Sequence, residues 1–293
     1  MLKKINIVRL PNLLMMAALL IILQYYVFPL YLKETLSPKV FYLLAAAVVL
    51  TAAGGYIIND IFDIDIDQIN TPEEVWMEDR HIKKLLSIYG VLSISGILSG
   101  FGVSFLLDEP FLSLWAISAF ALLWIYSWKI KKVLFANNLI IALLMISPLL
   151  FLLTAVPVNW GKSSVFTTII FYLLLFAFML NLIREIIKDV QDAEGDESAG
   201  VNSLVLTYGY ETTKRIILVL IVLTVLSGIY LIQRITNIEF YYALAQYFIF
   251  IALVASGIVL YNNGTESAGK VSLHIKLIMA AGVLSLLLLH GTN

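Results

Sequence analysis

Residues 39–67 read KVFYLLAAAVVLTAAGGYIINDIFDIDID. From Val40 to Ile58 the run is apolar, and about 20 such residues cross the hydrocarbon core of a bilayer. It then breaks into Asn59, Asp60, Asp63, Asp65 and Asp67. On a helix Asp60, Asp63 and Asp67, at i, i+3 and i+7, share one face with Asn59, while Asp65 points elsewhere. A second stretch, REIIKDVQDAEGD at 184–196, ends another apolar run and repeats the spacing in Asp189, Asp192 and Asp196. Six carboxylates at two membrane-helix ends repel one another unless something cationic neutralises them. A divalent metal that in turn holds a phosphorylated substrate is the candidate.

The rest of the chain fits that frame. It has 293 residues, 61% hydrophobic and 13% charged, against about 45–50% and about 25% in soluble domains, so it reads as polytopic. Nine apolar spans emerge, at roughly 12–32, 39–58, 83–107, 110–127, 133–156, 163–187, 214–233, 240–261 and 274–291. No linker separates soluble domains, so 1–293 is read as one transmembrane domain, all-α, with nine helices around a central cavity. The first span, after Pro11, is long enough to cross and is read as a helix, not a cleaved signal.

Nine spans put alternate loops on alternate sides. Of the 19 Lys and Arg residues, only Lys33, Lys39, Lys162 and Arg234 fall on one side. The other fifteen, Lys131, Lys270 and Lys276 among them, share the side of the N-terminus and both acidic motifs. The positive-inside rule makes that side cytoplasmic and puts the C-terminus outside, in a bacterial or archaeal cell membrane.

Without cysteine, thiolate chemistry and Cys-ligated metals are excluded. His81, His274 and His290 lie too far apart to suggest a site. A net charge of −1 gives no sign of a nucleic-acid partner. Asp63, Asp65, Asp67 and Glu74 match ligand positions of a calcium loop, but Gln68 replaces its essential Gly and Pro72 interrupts it. Arg184 and Lys188, one turn apart, either face an anion or are topology signals paired with Glu185 or Asp192. Gly195 is expected to loosen or end its helix. Polar residues within spans (Asn12, Asn137, Asn138, Asn181, Tyr56, Tyr126) either face a cavity or bond between helices.

The pattern N-D-x-x-D-x-x-x-D at Asn59 to Asp67, with R-E-x-x-K-D-x-x-D-x-x-G-D at Arg184 to Asp196, resembles the UbiA superfamily of intramembrane prenyltransferases. The similarity extends to Arg9, Asn12, Tyr126-Ser127, Lys129, Asn138, Ser203-Leu204 and Gly209. One departure is Glu73-Glu74, acidic where the family often has a basic residue; Arg80 is a candidate substitute.

The resemblance implies Mg2+ held by Asp60, Asp63, Asp67, Asp189, Asp192 and Asp196. It implies Lys188, Arg184 and Asn59 as catalytic residues, and Asn12, Arg9, Arg80, Tyr126 and Asn138 as substrate-binding residues. The donor is then an isoprenyl diphosphate, with geranylgeranyl diphosphate favoured, and the acceptor is lipophilic. Residues 184–196 are most like the branch that makes digeranylgeranylglyceryl phosphate, an ether lipid, from geranylgeranylglyceryl phosphate. An aromatic acceptor of the quinone or tocopherol type is the alternative enzyme reading. A membrane cation transporter is the non-enzyme alternative, but a carrier places its carboxylates near the midplane, not at one face.

Overall fold

In hydrocarbon no water satisfies backbone N–H and C=O groups, so each apolar run must close its own hydrogen bonds as a helix. A computed structural model of the chain describes residues 8–64, 79–157, 164–198, 200–235 and 239–289, less the side chains of Asp79, Arg80 and Ser164. Among the described residues there is helix and no strand. The membrane helices are α1 (Leu10–Tyr31), α2 (Pro38–Phe62), α3 (Asp79–Leu107), α4 (Phe111–Trp128), α5 (Ala136–Ala155) and α6 (Ser164–Gln191). Then come α7 (Tyr210–Arg234), α8 (Phe240–Asn263) and α9 (Ala268–Ser285).

By length and hydropathy eight stretches can cross a membrane, because Phe240–Leu288 counts as one of 49 residues. At 1.5 Å per residue a straight helix of that length would measure about 73 Å, against a core of about 30 Å. It is in fact α8 and α9, which pack on each other across the turn Gly264–Ser267, so nine membrane helices result among the described residues. The chain is a multi-pass membrane protein.

The final span differs from the sequence expectation of 274–291. Helix α9 starts at Ala268, six residues earlier, and so takes in Lys270. Lys276 therefore lies eight residues, about 12 Å, inside the helix.

Helices α1, α2, α4, α5, α6 and α9 contact one another in a closed ring. Helix α3 packs outside on α2 and α4, and α7 and α8 pack outside on α6 and α9. Burial follows: α2, α5 and α6 are the most enclosed, whereas α3 and α7 show long apolar faces to lipid. One end of the ring is plugged by Leu20, Phe28, Phe41, Phe151, Phe166 and Tyr242. A second core joins α6 to α7–α9 through Ile183, Ile187, Ile217, Leu253 and Ile275. The opposite end is left to polar residues.

Close helix approach in a membrane depends on small residues. Gly96 of α3 lies against Thr51 and the Ala47 carbonyl of α2, and a Cβ added at Gly100 would stand 2.4 Å from that of Ala116 on α4. Gly100→Ala is therefore expected to destabilise by about 1–3 kcal/mol, the usual range for overpacking. Gly90→Ala, where an added Cβ meets nothing within 4 Å, should not. Thermal denaturation in one detergent checks the pair, and equal melting temperatures would refute the packing argument.

Candidate active site

Four chain segments converge at the polar end of the ring. Arg9 enters α1 with φ 47°, a left-handed conformation that is strained for a residue with a side chain. Its carbonyl accepts the first bond of the helix from the Asn12 amide at 2.8 Å. Its Nη2 donates to Asp60 Oδ1 at 3.1 Å, and its guanidinium lies 5.1 Å from the Tyr56 ring centre. Asn12 Nδ2 reaches Tyr56 Oη at 3.4 Å.

Helix α2 stops at Phe62, and Asp63 caps it. Asn59 Nδ2 donates to Asp63 Oδ2 at 2.6 Å, and the Lys131 ammonium pairs with the same oxygen. Lys131 comes from the turn Ile130–Lys132 that follows α4. Next, Phe135, again with positive φ, delivers Asn137 and Asn138 as the first residues of α5.

Helix α6 carries the second cluster. Asp189 Oδ2 accepts from Asn138 Nδ2 at 2.8 Å. Buried Glu185 binds Arg184 Nη1 at 2.9 Å and Lys188 Nζ at 3.1 Å. So the two cations do pair with Glu185, yet both also line the cavity. The helix bends at Asp192, with the i→i+4 bonds of Asp192 and Asp196 intact across the bend. The break thus falls before Gly195, which lies inside the short helix Ala193–Ser198.

One cavity opens at this end, lined by Asn59, Lys131, Lys188, Asp189, Asp192 and Asp196. Asp60 and Asp63 stand behind Arg9 and Lys131, which face it. The polar lining continues through Tyr126 and Asn138. From Asn59 to Val48, Tyr126 to Trp115 and Asn137 to Pro148 the walls turn apolar over eleven residues each, about 16 Å along a helix. Trp115 closes the far end, stacked 4.0 Å from Phe151 and donating Nε1 to the Ser147 carbonyl at 3.2 Å. A second cavity shares the wall formed by Asn12, Met16, Tyr56, Met145, Pro148 and Arg184.

The two acidic clusters act as one electrostatic site. Burial pushes the Asp196 carboxyl up to about 6; Lys131 and Lys188 oppose this, while Asp192 and Asp63 add to it. Burial also raises Asp192 against the pull of Lys188 and Lys131. At Arg9 burial works against the charge, but Asp60, Tyr56 and Glu185 together outweigh it and hold the guanidinium above its ordinary value. Asp192 and Asp196 are thus short of positive charge even with two lysines beside them.

The structure therefore brings together Arg9, Asn12, Asn59, Asp60, Asp63, Tyr126, Asn138, Arg184, Lys188, Asp189, Asp192 and Asp196. The expectations for Asp65, Asp67, Glu73, Glu74 and the Arg80 side chain fall outside the described residues. Sequence reasoning missed Lys131, which it took for a topology signal; of the two partners it offered for Arg184 and Lys188, Glu185 takes both cations. The basic run 129–132 did place Lys131 on the same side as both motifs, but spacing gave no sign of its reach to Asp63.

A hard divalent cation fits this donor set. It is all oxygen, it lacks charge compensation at Asp192 and Asp196, and it leaves the buried Oδ1 of Asn138 without a hydrogen-bond donor. Among the described residues no three carboxylates form a ready-made cage. That suits Mg2+, which keeps several waters and binds through one or two carboxylates plus substrate phosphates, better than Ca2+, which takes six to eight oxygen ligands.

Known proteins agree with this architecture. The chain is 30% identical over 256 residues to a digeranylgeranylglyceryl phosphate synthase of Thermococcus sibiricus, covering 84% of this chain and 83% of that one. A solved chain described as digeranylgeranylglyceryl phosphate synthase in membranes superposes with a TM-score of 0.66 at 26% identity, covering 96% and 93%. A UbiA homolog from Archaeoglobus fulgidus, solved bound to GPP and Mg2+, has the same fold, with a TM-score of 0.62, 18% identity and coverage of 94% and 98%. Residues 18–281 match the UbiA prenyltransferase family, and the chain belongs to that family.

Proposed function

We propose that this prenyltransferase moves a geranylgeranyl group from its diphosphate to the glycerol hydroxyl of geranylgeranylglyceryl phosphate, forming an ether lipid in a Mg2+-dependent reaction. The observation that carries the reading is the first cavity. It has carboxylates and cations at one end and about 16 Å of apolar wall at the other, the shape of a prenyl diphosphate. The relative of known name from Thermococcus sibiricus, aligned over most of both chains, supports this acceptor.

In this reading the whole chain is one catalytic domain, and Asp60, Asp63, Asp67, Asp189, Asp192 and Asp196 hold the metal. Bound Mg2+ supplies positive charge to the departing diphosphate and so favours ionisation of the allylic C–O bond. Lys131, Lys188 and Arg184 neutralise the remaining phosphate charge from the cavity wall, and Arg9 holds Asp60 in place. Asn59 and Asn138 fix the rotamers of Asp63 and Asp189. Asn12 and Tyr126 line the path of the first isoprene unit, where Met16, Ile141 and Met145 exclude water from the allylic cation. The acceptor hydroxyl oxygen then bonds to that carbon and gives up its proton. The polar end, with the N-terminus, faces the cytoplasm and the C-terminus lies outside, in keeping with the excess of Lys and Arg there.

Purified protein in lipid, given labelled geranylgeranyl diphosphate and Mg2+, should label geranylgeranylglyceryl phosphate and fall silent in EDTA. Label in an aromatic acid instead would move the enzyme to the quinone-type alternative. Product formation in EDTA would refute the metal assignment.

A further inference from the structure

Lys276 lies about 12 Å inside α9, in the wall of the second cavity. Among the described residues no carboxylate pairs with it. An ammonium within a membrane span is costly unless it has a partner or a function. Its neighbours make the cost larger, because the guanidiniums of Arg184 and Arg9 are near enough to repel it. Arg184 lines the same cavity. Its one recorded acceptor, Glu185, is shared with Lys188, and its Nε is buried with no hydrogen-bond acceptor. Among the described residues the mouth of this cavity therefore has two cationic side chains with unmet hydrogen-bonding capacity, and the one carboxylate paired there, Glu185, is divided between Arg184 and Lys188.

Beyond that mouth the cavity is apolar. Arg184 to Tyr172 is twelve residues on α6, about 18 Å, past Leu173, Phe176 and Met279. A hydrogen-bonded chain closes the far end: Tyr172 donates to Gln246 Oε1 at 2.7 Å, and Gln246 Nε2 donates to Ser285 Oγ at 2.7 Å. Cations at one end and a long apolar chamber at the other describe a lipid with an anionic head. The first cavity, with its carboxylates, already accounts for the diphosphate. The shared wall at Asn12, Tyr56 and Arg184 lets two heads meet while their tails run into separate chambers.

We infer that Lys276 and Arg184 form a phosphomonoester site at the mouth of the second cavity, which binds the phosphate of the acceptor lipid while its prenyl tail fills the chamber. This assignment rests on the reading that the acceptor is a phosphorylated prenyl lipid. Lys276 is a substrate-binding and specificity residue in this arrangement, remote from the leaving diphosphate.

The test compares wild type, Lys276→Met and Lys276→Arg in nanodiscs with geranylgeranylglyceryl phosphate and with phosphate-free geranylgeranylglycerol. Lys276→Met should raise KM for the phosphorylated acceptor at least about tenfold, the loss of one charge-assisted hydrogen bond. It should leave KM for geranylgeranyl diphosphate unchanged and erase the preference for the phosphorylated acceptor, and Lys276→Arg should retain most of it. An unchanged acceptor KM, or an equal rise for the donor, overturns the assignment. If wild type uses neither acceptor, the proposed reaction fails on its own. Equilibrium binding of labelled geranylgeranylglyceryl phosphate then decides, since it needs no turnover: Lys276-dependent binding supports the site and equal binding by Lys276→Met overturns it. Displacement of that label by phosphatidic acid as readily as by unlabelled acceptor would mean a general site for lipid phosphates and would overturn the acceptor assignment.

Discussion

Asp189→Asn and Asp60→Asn proteins are expected to fold, insert and turn over at least about a thousandfold more slowly than wild type at saturating substrate and Mg2+. The Asn substitutions keep the shape of each site. At position 189 the new amide oxygen can still accept from Asn138 Nδ2, now at 2.8 Å from a carboxylate oxygen. At position 60 the amide oxygen can still accept from Arg9 Nη2. What each change removes is one negative charge from a cluster that must hold a divalent ion against water. It also removes one oxygen that a metal and a phosphate would share. The loss should fall on kcat and on Mg2+ affinity together, with helix content and elution from a sizing column unchanged. A folded variant of either kind that keeps a rate within tenfold of wild type would show that its carboxylate does not hold the metal.

Much of this architecture was legible because its signals are local. An apolar run has no choice but to be a helix in lipid, and a 3.6-residue period puts Asp189, Asp192 and Asp196 on one face whatever packs around it. The cavity confirms that face. What failed was whatever depends on which side of a helix a charge occupies. Lys270 was left outside the last span and Lys276 was counted as a topology charge, because hydropathy treats a lysine as polar without regard to the cavity it lines. That misread the start of α9 by six residues and concealed Lys276. The end of α6 was half legible: Glu185 was one of two partners offered for Arg184 and Lys188, and it takes both, one carboxylate for two cations in the cavity wall. Lys131 was invisible for a different reason. Its role depends on a short turn after α4 and on the left-handed Phe135 that follows, neither of which has a period to read.

Lys131→Met should be the second most damaging change, and its signature should depend on the metal. The Lys131 ammonium pairs with Asp63, and its charge also acts on Asp192 and Asp196. It is the cation common to both acidic clusters. Removing it leaves the Asp63 carboxylate, only 6% exposed, without its ionic partner. Breaking a buried pair from one side costs about 3–5 kcal/mol, and the 24% exposure of the Lys131 side chain argues for the lower end. A divalent ion bound by the same carboxylates would replace much of the missing charge. The melting temperature of Lys131→Met should therefore fall well below wild type in EDTA, and the gap should narrow at saturating Mg2+, since a ligand that binds only the folded state stabilises it. Turnover should still drop about a hundredfold or more in Mg2+, because the wall facing the departing diphosphate has lost a donor. Lys131→Arg should recover part of both effects. An equal fall in melting temperature with and without Mg2+ would make Lys131 a structural cation only. Unimpaired turnover in Lys131→Met would remove it from the diphosphate site and leave Lys188 and Arg184 to carry that charge.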